Sequence, residues 1–464
     1  MPADDSPAML VARFLRASNY TETLDAFISE AGLPADAGTT SRNSFTLEKL
    51  LEEKRTFDLS TQFEKLGTDE NDLETGWRAN APSLPTVVST LPSTSNILHT
   101  SFEILTNAAS HAAVPVLLAT TADRRLNVVD LPSLTLDTSS TTIQDSPILS
   151  CASIDTRHLL AASMSGQLTL AKDTTHVLDR RRDHAKYIVR IATYQPKDPP
   201  CTTWLATAGW DAKVHLYRLD VGATTDLKLP DPVSTITLPS NPEALQFITH
   251  PESKEPILIV TRRDSSFLHY YLVSPEGTTR LLGRQNLAPH SNAWVAFTPS
   301  AIALSPTDPS LLAIATSAVP HMKLIITRLL IPPTTAGLSD QSFDTAASQA
   351  RADLALQDRE LAAIQIHCST LAPQTPYSTP ALAWRPDGSG VWVNSDDGVV
   401  RGFEASTGKH VATLKGHEAG SKIRCLAAGF VEIEEGTREE WLATGGFDQK
   451  LIVWKPDRQG GQGT

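Results

Sequence analysis

The chain has 464 residues, 41% hydrophobic and 20% charged, which is enough apolar material for two or three packed domains and excludes wholesale disorder. A formal charge of −12 disfavours a surface built for phosphate backbones, so nucleic acid is set aside as a partner. Four dispersed cysteines (Cys151, Cys201, Cys368, Cys425) without a CxxC pair, and no leader-like or membrane-length apolar run, predict a reduced cytoplasmic or nuclear protein with no membrane partner. Two local charge runs, Arg180–Arg181–Arg182 and the glutamates 432, 434, 435, 439 and 440, read as solvated loops.

The first stretch is helical. Leu10, Val11, Phe14 and Leu15 recur at helical spacing, and Ser18–Asn19 interrupt the pattern. Asn19 is placed to cap a second helix, with Glu22 as its capping-box partner and Leu24, Phe27, Ile28 and Ala31 as its stripe. Gly32 supplies a left-handed end and Pro34 stops the helix. A hairpin this small buries too little to stand alone, and with no metal ligands or cysteine pair it calls for a partner surface. The run LVARFLRASNYTETLDAFISEAGL resembles a LisH motif, with Leu10, Phe14, Leu15, Tyr20, Leu24, Phe27 and Gly32 at its apolar and glycine positions. The resemblance implies a homodimer in which two hairpins pack as a four-helix bundle, with Ile28 joining those apolar residues at the interface. The alternative is that the stripe docks onto the rest of its own chain.

Residues 45–66 predict a further helix whose two apolar faces, Leu47–Leu50–Leu51 and Leu59–Phe63–Leu66, point in different directions, so a break near Asp58 is expected. The α-helical dimerisation region is thus placed at 1–66 and a polar linker at 67–83, in which Trp77 is out of character.

From residue 97 short β-rich runs alternate with tight-turn signals. EWLATGGFDQKLIVWKP near the end has an earlier copy, TWLATAGWDAKVHLYRL, at 203–219. The strand–turn–strand signature recurs seven times, with turns at Asp123, Gly166, Asp211, Asp264, near Pro320, Asp397 and Asp448. One long interval contains the Ala- and Asp-rich segment 334–360, read as a partly helical insertion between two strands of the fifth unit. This period describes a mainly β, seven-bladed propeller spanning 84–458, followed by a flexible tail at 459–464. The repeats resemble the WD-repeat family: Gly416–His417, Asp448 and Trp454 match its motifs, and Asp183–His184, Asp211 and Tyr217 form a looser copy. What the resemblance implies for His184, Thr207, Asp211 and Tyr217, and for His417, Thr444, Asp448 and Trp454, is a structural hydrogen-bond chain in each blade. The last blade lacks an outer strand at its C-terminal end, and Thr86–Leu91 is expected to pair with Leu451–Val453 and close the ring.

No glycine-rich phosphate loop, GxSxG, HExxH or EF-hand loop is present, and Asp396–Asp397–Gly398 reads as a hairpin turn rather than a calcium loop. The residue types at the inner strand ends look mainly apolar and small. No catalytic site, metal or cofactor is therefore expected. The expected function is a homodimeric scaffold that presents a propeller to a protein or peptide partner. Proteins of similar layout serve dynein regulation, corepression and ubiquitin ligation, but no WDxR signature is in place for the last. The rival is a hydrolase-like enzyme working at the central channel, which would need ionisable residues converging there.

Overall fold

The computed structural model describes residues 6–39, 46–48, 51, 77, 79–107, 112–196, 202–220, 227–289, 297–334, 346–434 and 436–457. The chain divides into two compact units, a helical one within the first 63 residues and a β unit.

In the helical unit α1 (Pro7–Ala17) begins at Ser6, whose hydroxyl accepts the Met9 N–H at 3.4 Å ahead of a proline in the first turn. The helix α2 (Thr21–Ala31) ends at Gly32 in the left-handed region. Asn19 is not its cap: it sits at φ +61° in the connecting turn, and Tyr20 takes the capping position without a side-chain hydrogen bond. Ala12, Leu24 and Ala37 form the hairpin's small core, with Met9, Leu15, Phe27, Ile28 and Leu33 packed around it. The Arg16 guanidinium ties the following turn down by donating to the Ala37 carbonyl at 2.8 Å. Gly38 passes so close that a Cβ would lie 2.5 Å from the Ala12 carbonyl oxygen. The predicted helix at 45–66 lies, apart from a few positions, outside the described residues.

In the β unit the described residues form seven four-stranded antiparallel sheets, the blades of a propeller. Each blade runs from an inner strand outward, as in the third: Ile188–Tyr194, Thr202–Gly209, Lys213–Asp220, Ser234–Thr237. The predicted turns at Asp123, Gly166, Asp211, Asp264, Pro320, Asp397 and Asp448 all join the second and third strands of successive blades. Alternation explains why these strands read as continuous apolar runs. In Pro256–Arg262, Ile257 and Ile259 enter the core shared with the fifth blade, whereas Leu258 and Val260 enter the core shared with the third. Such a core lies at each of the seven blade junctions. Each fully buried Leu or Ile contributes about 1.5–3 kcal/mol, so every blade depends on both neighbours.

The seventh sheet is completed by Pro82–Val87, which pairs antiparallel with Leu451–Pro456 and sets Thr86 opposite Val453 and Val87 opposite Ile452. The closing strand thus starts four residues earlier than the predicted Thr86–Leu91. The insertion carries α3 (Ala346–Ala363), lying between the third and fourth strands of the fifth blade. It runs past the predicted end at residue 360, because the Glu360 carboxylate is buried and accepts the Asn286 N–H at 2.7 Å.

Candidate functional site

The last blade holds a continuous buried hydrogen-bond chain. Asp448 accepts from His417 Nδ1 at 2.9 Å, His417 Nε2 meets Thr444 Oγ1 at 2.9 Å, and Trp454 Nε1 donates to the same hydroxyl at 2.9 Å. Burial pushes the His417 imidazole below its ordinary pKa, an effect the Asp448 charge only partly offsets. In the third blade His184 joins Asp211 and Thr207 at 2.9 Å each. The aromatic differs: the Tyr217 hydroxyl donates to Asp183 at 3.0 Å, with Thr207 as a further neighbour that bears on it. Burial works against the Asp211 carboxylate, but bonds from His184 and the Ala185 N–H hold it below its usual range.

His184, Asp211 and His215 come within 4.8 Å of one another, the spacing of a possible metal set. Both ring nitrogens of His184 are already engaged, and His215 Nδ1 is committed to Thr235 at 2.9 Å. A cation here would have to displace the bonds that hold the blade together. Asp397 turns towards Arg401, 2.6 Å away, rather than towards Asp396, so these two carboxylates do not form a calcium loop. Asp396 is itself paired with Lys422 at 2.9 Å.

The end of the ring that carries the second-to-third strand turns is built to one plan. Ala122, Met164, Trp210, Arg263, Ser317, Asn394 and Phe447 each donate a backbone N–H to the carbonyl just before their blade's inner strand. Their side chains are therefore equivalent positions on one rim. Met164 and Phe447 are exposed there, together with Val319 and Tyr377 on the same end. Between the third and fourth blades, Tyr187 stacks on Trp210 at 4.6 Å, and Arg263 covers Trp210 at 4.4 Å while pairing with Glu243 at 2.5 Å. The rim can offer flat aromatic and cationic surface to a polypeptide.

Just inside the rim, charged groups stand among inner strand ends that are otherwise mainly apolar and small. Six inner strands carry a β-bulge near their start: Glu243 and Arg424 are the unpaired residues at two of them, and His99 and Arg190 directly follow the unpaired residue at two others. A bulge breaks the alternation and re-aims a side chain, so a residue that reads as outward-facing instead reaches the channel. His99 is pushed down to about 3 by burial, with Arg190 and Arg424 adding to the shift. Arg424 is pushed down to about 10 by burial and by Arg190. Among the described residues the two thiols bearing on this cluster are not activated: burial pushes Cys151 and Cys425 up, the latter to about 12. At four of the five turn aspartates the rim was detectable in sequence as the preceding position (Ala122, Trp210, Arg263, Phe447), whereas the bulges carry no such mark.

A second built feature receives the linker. Trp77 lies edge-on to Trp392 at 4.7 Å, and the Arg385 guanidinium sits over its ring at 4.5 Å. The slot exists because Gly390 and Gly402 have no side chains: a Cβ on either would lie within 2.3 Å of the Trp77 ring. Arg385 is fully buried, pairs with Glu440 at 2.7 Å and donates to the Ala79 carbonyl at 3.3 Å.

Of the expected dimerisation residues, Leu24 is spent in the hairpin core, and Leu15, Phe27 and Ile28 pack against it. Leu10 and Phe14 lie outside that core and are partly exposed, as is Val11, and Tyr20 is 55% exposed. Among the described residues no helix is long and apolar enough to cross a membrane.

No curated protein matches the chain. Residues 8–37 match the LisH domain, and residues 90–455 the beta-propeller domain, of the family described as UCP007778. Hairpin and ring are the two domains that define that family, in that order, and the chain belongs to it.

Proposed function

We propose that this protein is a homodimeric adaptor of the WD-repeat type, which uses the turn end of its propeller to hold a protein or peptide partner within a larger complex. A LisH domain joined to a propeller fits a protein-interaction scaffold in general. The observation that carries the specific reading is the gathering of Met164, Trp210, Val319, Tyr377 and Phe447 on one end of the ring. Dimerisation is supported by the apolar residues Leu10, Val11, Phe14 and Tyr20, which the hairpin leaves outside its own core. Two propellers on one particle would bind a repeated partner with avidity. The protein is proposed to have no catalytic activity: the charged channel mouth pairs no base with a nucleophile. Buried free thiols at Cys151, Cys368 and Cys425 support a cytoplasmic or nuclear setting. The test is affinity purification of the tagged full chain with mass spectrometry, beside a Trp210→Ala/Phe447→Ala variant. Partners kept by the wild type and lost by a folded variant support the reading; an identical set with both overturns it.

A further inference from the structure

Resting on that reading of the turn end, we propose that the channel mouth binds a phosphoryl group between the guanidinium groups of Arg190 and Arg424, with His99 Nε2 as an additional hydrogen-bond partner. Arg190 lies on the inner strand of the third blade, Arg424 on that of the seventh and His99 on that of the first. The third and seventh blades are not neighbours, so the repulsion between Arg190 and Arg424 acts across the channel. Among the described residues neither guanidinium has a hydrogen bond or an ion pair, and His99 Nε2 is buried without a partner. Among the described residues Glu243 is the carboxylate that bears on both arginines, and it is already paired with Arg263.

Arg190 and Arg424 are half-buried, so water screens their like charges only in part and the two repel each other across the channel. An incoming dianion removes that repulsion. A carboxylate brings one negative charge in a single plane. A phosphoryl group brings close to two charges and three acceptor oxygens, enough to satisfy two guanidinium forks and an imidazole together. The source is a phosphorylated side chain of the partner or a free phosphate compound, and the experiment separates them.

The full-length protein is melted with increasing inorganic phosphate against chloride at matched ionic strength. The wild type should show a saturable rise in Tm, because a ligand held only by the folded state stabilises it. Arg190→Gln and Arg424→Gln should each weaken phosphate binding at least tenfold. Without phosphate they should melt no lower than the wild type, since each removes an uncompensated charge; this separates lost binding from lost folding. In the second arm, immobilised protein is offered a degenerate library of phosphoserine, phosphothreonine and phosphotyrosine peptides and its unphosphorylated twin. Enrichment of phosphorylated members by wild type and not by Arg190→Gln assigns the group to a protein partner. Saturable phosphate binding without such enrichment assigns it to a free compound. Absence of saturable binding in both arms, or equal binding by well-folded Arg190→Gln and Arg424→Gln, overturns the proposal. Partner capture that survives in these variants but fails in Trp210→Ala/Phe447→Ala would leave the docking end standing without the phosphoryl site.

Discussion

The Tyr217 hydroxyl donates to Asp183 Oδ2 at 3.0 Å, and this pair occupies in the third blade the place that Trp454 and Gly416 hold in the seventh. The two solutions are alternatives. A Cβ on Gly416 would lie 2.8 Å from Trp454 Cη2, so the larger indole requires a glycine, and it spends its N–H on Thr444 instead. The smaller tyrosine leaves room for an aspartate that accepts its proton and is held ionised chiefly by Arg181, 2.9 Å away.

The exchange should therefore be coupled. Gly416→Asp should destabilise the chain by about 1–3 kcal/mol through overpacking. Tyr217→Trp and Asp183→Gly should each lower stability alone, and the double variant should be more stable than their sum by about 1–2 kcal/mol. Urea unfolding of the four proteins measures this; strict additivity would show that the two positions do not sense each other.

Removing Asp448 leaves His417 and the Glu418 N–H without an acceptor, so Asp448→Ala should cost about 1–3 kcal/mol. Asp396 lies outside the repeat pattern, which predicts little effect on replacing it. Its bonds to Ser378 and Lys422 change that expectation to a loss of about 1 kcal/mol. Melting temperatures of the two variants provide the check.

The pH dependence follows from buried imidazoles. Burial lowers His99 to about 3 and His367 to about 4, against 6.5 in an unfolded chain. Their stabilising contribution is complete above pH 6.5 and is lost as pH falls through the folded values, because only the unfolded chain takes up the protons. At pH 5 these two groups should give unfolding a slope of about two protons. Glu103, Glu360 and Glu440, all raised by burial, act with the opposite sign, so the comparison must be made against a variant. His99→Gln/His367→Gln should flatten urea midpoints between pH 6.5 and 4.5; an unchanged slope would place the proton uptake elsewhere.

For the hairpin, the side chains must be separated by what they already touch. Leu24→Asp puts a charge in the hairpin core and should unfold it, whereas Val11→Asp and Phe14→Asp alter the face left outside. The full chain should scatter light as a dimer and the latter variants as folded monomers. A wild-type monomer at tens of micromolar would remove the basis for avidity.

Deleting the insertion is safe only in part. Removal of residues 335–356 should leave stability unchanged, since it spares Glu360 and the Thr334 carbonyl that accepts from Arg280. Removal of 334–360, or Glu360→Ala, should cost about 1–3 kcal/mol by orphaning the Asn286 N–H. Equal melting of the two deletions would show that Glu360 is not holding α3 to the fourth blade.

Turns, blade number and the place of the insertion were legible because each is announced locally, by Asp and Gly in tight turns and by apolar runs of strand length. The closing strand was found but displaced, since Pro82 and Pro85 argue against strand while an edge position tolerates them. The charged channel mouth was not legible. Arg190 and Arg424 stand in otherwise apolar inner strands, and the bulges beside them carry no sequence mark here. Asp183 looked like an imperfect glycine, because a motif template scores residues singly and this one is explained by its aromatic partner.

The slot for Trp77 has a mechanical consequence. Among the described residues, Trp77 is seated between Gly390 and Gly402, five residues ahead of Pro82–Val87, the strand at the seam. Tension applied through the N-terminal end of the chain would otherwise fall on the strand that keeps the ring shut. Wedged under Arg385, the indole takes that load before the seam does, as a cable clamp spares a solder joint. Trp77→Ala should therefore weaken the ring under force more than at rest, a difference that optical-trap unfolding by the N-terminus would measure against thermal melting.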